Sequence, residues 1–241
     1  YLTNIIQPDV SVITNINYAH AKNFKNIKDI ALAKSEIINN TNPDGFVVLN
    51  ADDKFYKFHQ KIALDRNLNV ISFGIKNSNA DIRFLSIKKS GKNFKIDLKV
   101  RSFKVYFFIS NDFTSNIYNI LATIAVMNIN INVSKLNKNI FLNFKAPPGR
   151  GNFFKIKMNK KIINLIDESY NSNPLSLKTA VLNYEKIETK KSKKYLLLGD
   201  MLELGSHSKK LHKAIAPIIN KAKVDKIYVK GNRARLIFNK L

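Results

Sequence analysis

The sequence predicts an α/β fold in two parts: a mixed sheet with helices, followed by an incomplete doubly wound, Rossmann-like unit. In both parts, short apolar runs typical of strands alternate with helical segments, and this alternation indicates parallel strand pairing. Between residues 80 and 110, strand-like runs follow one another without helices, which indicates an antiparallel meander. The proline- and glycine-rich stretch 146–151 predicts a boundary, which gives domains 1–146 and 147–241.

Composition places the chain among globular proteins with ordinary apolar cores. Its 241 residues are 45% hydrophobic and include no cysteine, which excludes disulfides and thiolate metal sites. No apolar run approaches the roughly 18 residues that a membrane helix needs, and the first residues lack the pattern of a secretion signal. We therefore expect no membrane span and a cytoplasmic location.

The formal net charge of +24 raises the alternative of a basic nucleic-acid-binding protein. That class of protein would gather its Lys and Arg residues on one face, and its binding would weaken steeply with salt. Here 35 of the 41 basic residues are lysine, they are scattered along the chain, and base readout favours arginine. We therefore expect no nucleic-acid partner, although a basic surface would attract nucleotide substrates.

The first part is predicted from apolar periodicity and turn residues. Its predicted strands are 10–16, 46–49, 69–74, 82–87, 94–100 and 103–109, and its predicted helices are 27–40, 53–64 and 114–128. Asp52 or Asp53 can cap the second of these helices. Asn116 and Asn119 are three residues apart, so they project from one face of the third helix, where they form a site or merely cap the helix.

A lysine occupies the predicted core face of helix 27–40. The apolar stripe of this helix consists of Ile27, Ile30, Ala31, Ile37 and Ile38. At 100° per residue Lys34 falls inside that stripe. Burial lowers the pKa of an amine, so a buried Lys34 would be neutral and nucleophilic more readily. The alternative is that its long side chain carries the amine to the surface.

The second part contains predicted strands at 153–158, 161–166, 194–198 and 226–229, and helices at 174–186 and from 206. We expect 162–166 and 194–198 to be buried. The first of these runs ends in D-E-S-Y-N-S-N-P at 167–174, whose proline can open the next helix. Ligands of open α/β sheets bind at such strand-to-helix turns, although an ordinary capped helix start explains the same residues. His212 lies in an apolar stripe, so we interpret it as a core histidine whose hydrogen bonds are satisfied.

Two motifs in collinear order closely resemble the Mur ligases, specifically the type that adds D-alanyl-D-alanine to UDP-N-acetylmuramoyl-tripeptide. They are D-E-S-Y-N-S-N-P at 167–174 and L-G-D-M-L-E-L-G at 198–205. The resemblance implies an ATP- and Mg²⁺-dependent ligase with those two substrates, monomeric when complete, acting through an acyl phosphate. The Mur ligase that adds the third amino acid and folylpolyglutamate synthase share this architecture, and a non-catalytic remnant of the fold is a further alternative.

The resemblance also implies site residues. His20 and Lys34, the latter carbamylated in A-K-S-E-I at 33–37, would hold magnesium, and Arg150 would approach the phosphates. The remaining implied residues contact ATP (Asn116, Asn119 and Glu168) or the acceptor side (Tyr170, Asn171, Asn173, Asp200 and Glu203). The alternative without a functional role is that His20 lies in a solvated loop and that Arg150 is a solvated charge in the linker. Ser115 stands where the family usually has histidine.

A phosphate-binding loop is missing from the sequence. The family's loop ends in Gly-Lys-Thr or Gly-Lys-Ser, whereas the single Gly-Lys pair here is Gly91-Lys92, which precedes Asn93 in a predicted hairpin. We therefore expect an internal fragment of the ligase that is inactive alone and whose halves move about 147–151. We also expect the missing strands to leave an open apolar edge on the central sheet.

Overall fold

The structure is a computed structural model, and it describes residues 2–110, 114, 116–144, 146–159, 161–187 and 192–241. The chain divides into two units: unit 1 contains residues 1–16 and 28–145, and unit 2 contains 17–27 and 146–241. The segment that carries His20 therefore belongs to unit 2, although the residues on either side of it belong to unit 1. The division into ligase domains at 146 and 147 stays a prediction.

Unit 1 is built on one six-stranded sheet whose strand order follows the chain order. The strands are β1 Val10–Ile13, β2 Phe46–Asn50, β3 Asn69–Gly74, β4 Ile82–Ser90, β5 Asn93–Val100 and β6 Phe103–Ile109. β1 to β4 pair in parallel, whereas β4, β5 and β6 pair antiparallel. The predicted mixed sheet is confirmed, and Gly91 lies in the turn of the predicted β4–β5 hairpin with a φ of 59°.

Helices cover this sheet and complete its core. They are α1 Leu2–Ile6, α2 Ile27–Asn39, α3 Tyr56–Asp65 and α4 Ile117–Asn130. Phe73, Leu98, Phe107 and Ile124 have no exposed surface, since apolar strand residues pack against the apolar face of α4. The sequence analysis missed α1, because a helix of five residues carries too little periodicity to be recognised.

Unit 2 contains two small sheets among its described residues. β7 Asn152–Met158 pairs antiparallel with β8 Lys161–Asp167, and β9 Tyr195–Leu198 pairs in parallel with β10 Lys226–Val229. The helices are α5 Pro174–Glu185, α6 Ser208–Lys213, α7 Ala216–Lys221 and α8 Arg235–Phe238. The single helix predicted from 206 is wrong: α6 and α7 are separate, and Pro217 at the start of α7 lacks the N–H that a continuous helix needs.

The predicted burial of two strands in unit 2 is wrong. Ile162 in β8 is 69% exposed and Leu197 in β9 is 73% exposed, whereas Leu198 at the end of β9 is 5% exposed. Within the described chain β8 pairs with β7 and β9 with β10, and a two-stranded sheet offers little surface for mutual burial. The described part of the chain contains no helix long and apolar enough to cross a membrane.

Candidate active site

Lys34 lies on α2, but its predicted burial is wrong. Ile38 and Ser35 take the core positions of that face, and the Lys34 side chain reaches past them to the surface. There its Nζ donates a hydrogen bond of 3.1 Å to the Asn15 carbonyl. Partial desolvation nevertheless lowers the pKa of Lys34, against the opposing charge of Asp53. The predicted direction of the pKa shift is therefore confirmed, although the side chain is exposed.

The surroundings of Lys34 include a carboxylate and a buried imidazole. Asp53 accepts hydrogen bonds of 2.8 Å from the Phe55 N–H and from the Ile16 N–H. His59 on α3 is 2% exposed, and its Nε2 donates to the Ala31 carbonyl at 3.0 Å. Desolvation lowers the pKa of His59, which favours the neutral imidazole. The sequence analysis missed His59, although its helical spacing to buried Ala63 could have indicated a core position.

Asn116 and Asn119, the two amide residues predicted to contact ATP, lie together at the start of α4. The Asn119 Nδ2 donates to the Asn116 Oδ1 at 3.1 Å, which confirms that the two side chains share one face. Asn116 occupies the N-cap position, yet its side chain accepts no capping hydrogen bond. The pair therefore presents an amide edge rather than a helix cap. Ser115 lies outside the described residues.

Asp52 and Tyr118 form a side-chain hydrogen bond in unit 1 that the sequence analysis did not predict. The Asp52 carboxylate accepts backbone hydrogen bonds of 2.6 to 2.9 Å from Ile75, Lys76 and Asn77, and one of 3.0 Å from the Tyr118 hydroxyl. Burial raises the pKa of Asp52, but these four donors outweigh it and lower the pKa overall. The Tyr118 pKa rises to about 12, through desolvation first and the neighbouring carboxylate second.

In unit 2, His20 and Glu203 lie side by side although they are 183 residues apart. The imidazole Nδ1 hydrogen-bonds the Glu203 carboxylate, and the two side chains are 71% and 59% exposed. Both residues adopt positive φ values, 54° at His20 and 58° at Glu203. The structure thus places an implied metal-binding residue against a residue that was assigned to the acceptor side.

Arg150, Glu168 and Tyr170 come together at the end of β8. The Arg150 guanidinium stacks over the Tyr170 ring at 4.5 Å, and Tyr170 N–H donates to the Gly149 carbonyl at 3.1 Å. The pKa of Glu168 is raised by desolvation and by Asp167, while Arg150 opposes the rise. The glycines of the predicted linker are therefore tied to the 167–170 turn; the proposed hinge motion stays a prediction.

A cavity of about 560 Å³ connects the two motifs in unit 2. Its lining includes Glu168 to Ser172 of the first motif, Gly199, Asp200 and Leu202 of the second motif, and strand residues of β8 and β9. Pockets of this size, apolar with a few convergent polar groups, are typical small-molecule sites. Exposed Asn171 lines it as well.

Two residues predicted at the acceptor side are engaged in backbone hydrogen bonds. Asn173 is the N-cap of α5, where it accepts at 3.0 Å from the Leu175 and Ser176 N–H groups in a capping box. The Asp200 Oδ1 accepts from the N–H groups of Arg233 and Ala234 at 3.0 and 2.7 Å. For Asn173 the structure therefore shows the capped helix start that the sequence also allowed, opened by Pro174 as predicted.

His212 holds the second motif in place. It is fully buried, its Nδ1 donates to the Ser208 carbonyl at 2.8 Å, and its Nε2 accepts from the Met201 N–H at 3.0 Å. The interpretation of His212 as a satisfied core histidine is confirmed. Its structural role is to fix the 200–205 loop, whose Met201 and Leu204 are each 2% exposed.

The fit of this chain to a magnesium ion is partial. No group of three His, Cys, Asp or Glu side chains that could hold a metal ion occurs among the described residues. His20 and Lys34 also belong to different units. Mg²⁺ prefers oxygen ligands, and a carbamate on Lys34 would supply them. The chain could therefore contribute ligands to such a site without completing it.

Comparison with known proteins identifies relatives over the whole chain. The family model described as "Mur ligase middle domain" matches residues 1–127. UDP-N-acetylmuramoyl-tripeptide--D-alanyl-D-alanine ligase of Buchnera aphidicola subsp. Acyrthosiphon pisum is 31% identical over 96% of this chain and 50% of its own length. The protein of the same name from Rickettsia prowazekii is 28% identical over 100% of this chain and 52% of its own length. The chain thus spans about half the length of the curated relatives it matches.

Solved structures agree on the fold. MurF from Acinetobacter baumannii superposes with a TM-score of 0.83 at 23% identity, over 99% of this chain and 50% of that chain. MurF ligase from Thermotoga maritima in complex with ADP gives a TM-score of 0.81 at 23% identity, over 98% and 52%. The predicted fold class is confirmed by these likenesses. Since the family model covers more than half of its residues, the chain belongs to the Mur ligase family.

Proposed function

We propose that this chain forms part of an ATP-dependent ligase of peptidoglycan precursor synthesis, which joins D-alanyl-D-alanine to UDP-N-acetylmuramoyl-tripeptide. The observation that carries the proposal is the cavity of about 560 Å³ that connects the two motif loops, 168–172 and 199–202. The names of the curated relatives support the same reaction, and their names include both substrates. In the proposed reaction, ATP phosphorylates the terminal carboxylate of the tripeptide, and the D-alanyl-D-alanine amine displaces phosphate from the acyl phosphate.

On the ATP side, this chain would bind and orient the nucleotide. The amide edge of Asn116 and Asn119 suits the donor and acceptor groups of adenine. The Arg150 guanidinium can hold a phosphate through two parallel hydrogen bonds, and stacking on Tyr170 restricts its orientation. Glu168, whose pKa is raised, would accept from a ribose hydroxyl beside it. The likeness to a MurF ligase in complex with ADP supports a nucleotide site in this fold.

Magnesium, when bound, would neutralise charge on the transferring phosphoryl group. We propose that His20 and the carbamate of Lys34 are the ligands that this chain supplies. Carbamate formation requires a neutral amine, and the lowered pKa of Lys34 raises the neutral fraction at a given pH. The exposed position of Lys34 leaves its amine accessible to carbon dioxide.

On the acceptor side, Tyr170 and Asn171 would contact the incoming dipeptide in the cavity that they line. Asn173 and Asp200 would act indirectly, because a side-chain oxygen of each accepts hydrogen bonds from backbone N–H groups and so holds its loop in place. A cytoplasmic location is part of the same proposal, since ATP and a nucleotide-linked precursor are the substrates, and we further propose that the complete enzyme is monomeric.

We further propose that these 241 residues do not catalyse the reaction alone, because no glycine-rich phosphate loop occurs in the sequence. The test compares the purified chain with a chimera in which the preceding half of a curated relative is fused to its N-terminus. Magnesium-dependent ATP hydrolysis and pentapeptide formation are measured for both. Activity of the chimera alone supports the proposal, whereas robust turnover by the chain alone contradicts it.

Within an active chimera, Lys34→Ala tests the carbamate. We expect a loss of roughly a hundredfold in turnover, in line with removal of a transition-state electrostatic group, and dependence of the unsubstituted chimera on bicarbonate. Lys61→Ala, which removes an exposed lysine of α3, is the matched control and should leave the rate unchanged. Near-normal activity of Lys34→Ala without bicarbonate dependence would show that Lys34 is not carbamylated for catalysis.

A further inference from the structure

We propose that Glu203 is a positioning residue for His20: its carboxylate fixes the imidazole as the Nδ1–H tautomer and so leaves Nε2 as the nitrogen that binds a ligand. The hydrogen bond between the His20 Nδ1 and the Glu203 carboxylate carries this inference. It rests on the proposed function only for the identity of that ligand, the metal ion. It also reassigns Glu203 from the acceptor side to the ATP side of the reaction.

The chemistry of histidine ligands supports the assignment. An imidazole that binds a metal through one nitrogen usually donates its other N–H to a carboxylate or a carbonyl, which sets the tautomer and the ring orientation. Without such a partner an exposed imidazole exchanges between tautomers and rotates freely. His20 is 71% exposed, so packing alone does not fix its ring, and the Glu203 carboxylate is the group that can.

The backbone of both residues adopts a conformation that is uncommon for residues other than glycine. His20 and Glu203 have φ values of 54° and 58°, a left-handed region that residues with a Cβ seldom occupy. Such conformations persist where the surrounding structure enforces them. Next to Glu203, Leu204 is 2% exposed, so the loop is anchored in the core of unit 2 directly after the positive φ.

The loop that contains Glu203 contacts the segment that contains His20 at three further points. The His207 Nε2 donates to the Phe24 carbonyl at 2.9 Å, and the His207 ring lies 5.2 Å from the Tyr18 ring. Gly205, with a φ of 53°, approaches Lys22 so closely that a Cβ would lie 2.8 Å from the Lys22 Cα. Residues 203–207 therefore hold segment 18–24 from both sides of His20, and Glu203 provides the contact to its side chain.

The direct test reads the tautomer of His20 in this chain. Long-range ¹H–¹⁵N spectra at pH 8.5, where imidazoles are mostly neutral, distinguish an Nδ1–H ring from an Nε2–H ring. The chain has four histidines, so substitution assigns each signal. We expect a single Nδ1–H tautomer for His20 in the unsubstituted chain. A predominant Nε2–H tautomer there would overturn the proposal.

Glu203→Gly separates positioning from stability. It removes the carboxylate while suiting the positive φ, so the chain should melt at an equal or higher temperature while His20 becomes a tautomer mixture. Arg101→Gly is the matched control, because it relieves a φ of 49° in unit 1 without touching His20. An unchanged Nδ1–H signal in Glu203→Gly would overturn the proposal. If that variant fails to fold, Glu203→Asn, which tolerates the same φ, is expected to give the mixture instead.

An active chimera supplies a second readout. Glu203→Gly should raise the magnesium concentration for half-maximal rate about tenfold, and it should add nothing in a chain that already carries His20→Ala. Full additivity of the two substitutions would contradict the positioning role. Should no chimera turn over, the proposed ligase function fails, while the tautomer of His20 still decides the role of Glu203.

Discussion

Units 1 and 2 distribute their buried residues in opposite ways. In unit 1 the strands form the core: Phe73 in β3, Leu98 in β5 and Phe107 in β6 have no exposed surface. In unit 2 the strands are largely exposed, as Leu197 in β9 shows at 73%, whereas the loop residue Met201 is 2% exposed. Unit 1 therefore draws its stability from its sheet, and unit 2 draws it from its helices and motif loop.

This difference between the units shows that the burial of an apolar strand depends on how many strands and helices pack against it. A strand of the six-stranded sheet has neighbours along its edges and helices over its face, so an apolar run there is buried. In unit 2, β8 and β9 belong to separate sheets of two strands within the described chain, and residues of both strands line the cavity. Exposed apolar strands of this kind favour association, so we expect unit 2 to promote association in addition to the open edge predicted for the central sheet.

The largest expected effect comes from truncating the same residue type in the two units. Leu98→Ala should lower the free energy of unfolding by about 3 kcal/mol, because it leaves a cavity in the unit 1 core. Leu197→Ala should change it by less than about 0.5 kcal/mol, because that side chain already contacts water. Urea unfolding followed by far-ultraviolet circular dichroism measures both. Equal losses would show that the β9 face is covered in solution.

A second prediction concerns the loops of unit 2. Asn173→Ala removes the side chain of the capping box and should destabilise α5 by about 1 kcal/mol. Asn171→Ala, two residues earlier in the lining of the cavity, is the matched control and should leave stability unchanged. Hydrogen exchange of the α5 amides reports the local effect. Equal exchange rates in the two variants would argue against a loop-stabilised unit 2.

A third prediction concerns the pH dependence of the stability of unit 1. The folded pKa of Tyr118, about 12, exceeds the unfolded value near 10, so its contribution to stability is complete below pH 10 and is lost as pH rises toward about 12. Because this phenol is partly exposed, solvent screening keeps the contribution below about 1 kcal/mol. Tyr118→Phe should abolish this part of the alkaline loss in urea midpoints, whereas Tyr106→Phe should retain it. Identical pH profiles for the two variants would contradict a stabilising hydrogen bond between Asp52 and Tyr118.

The elements could be predicted because their patterns are local. The bounds of β3, β6 and β10 agree with the predicted strands, since apolar runs between turn residues identify such segments. Burial was less predictable: the helical stripe placed Lys34 in the core, but a long flexible side chain carries its amine to the Asn15 carbonyl.

The site was predictable only in part, because the contacts that define it are not local. The pairing of Asn116 with Asn119 follows from helical spacing. The pairing of His20 with Glu203 spans 183 residues, and no periodicity connects them. Asp52 likewise meets Tyr118 across 66 residues, a contact that depends on the packing of α4 against the sheet.

The smallest expected effect lies at the exposed turn where Arg150 faces Glu168. The guanidinium lowers a Glu168 pKa that desolvation and Asp167 raise, so Arg150→Ala should raise it further. Arg150→Lys should keep the pKa near its starting value, because the charge remains, but should lose the planar stack on Tyr170. A carboxyl ¹³C titration of Glu168 measures the first effect, and the Tyr170 ring proton shifts measure the second.

The control for that pair is Arg233→Ala, which removes an exposed guanidinium elsewhere in unit 2. Its Glu168 titration should match the unsubstituted chain, because desolvation, Asp167 and Arg150 are the causes of the Glu168 pKa shift, and Arg233 is not among them. If Arg150→Ala titrates like Arg233→Ala, then Arg150 does not act on Glu168 in solution. The stack on Tyr170 would then be the contact that orients the Arg150 guanidinium for its proposed phosphate contact. If Arg150→Ala alone moves the Glu168 pKa, then a solvent-exposed loop of unit 2 is organised as specifically as the buried sheet of unit 1.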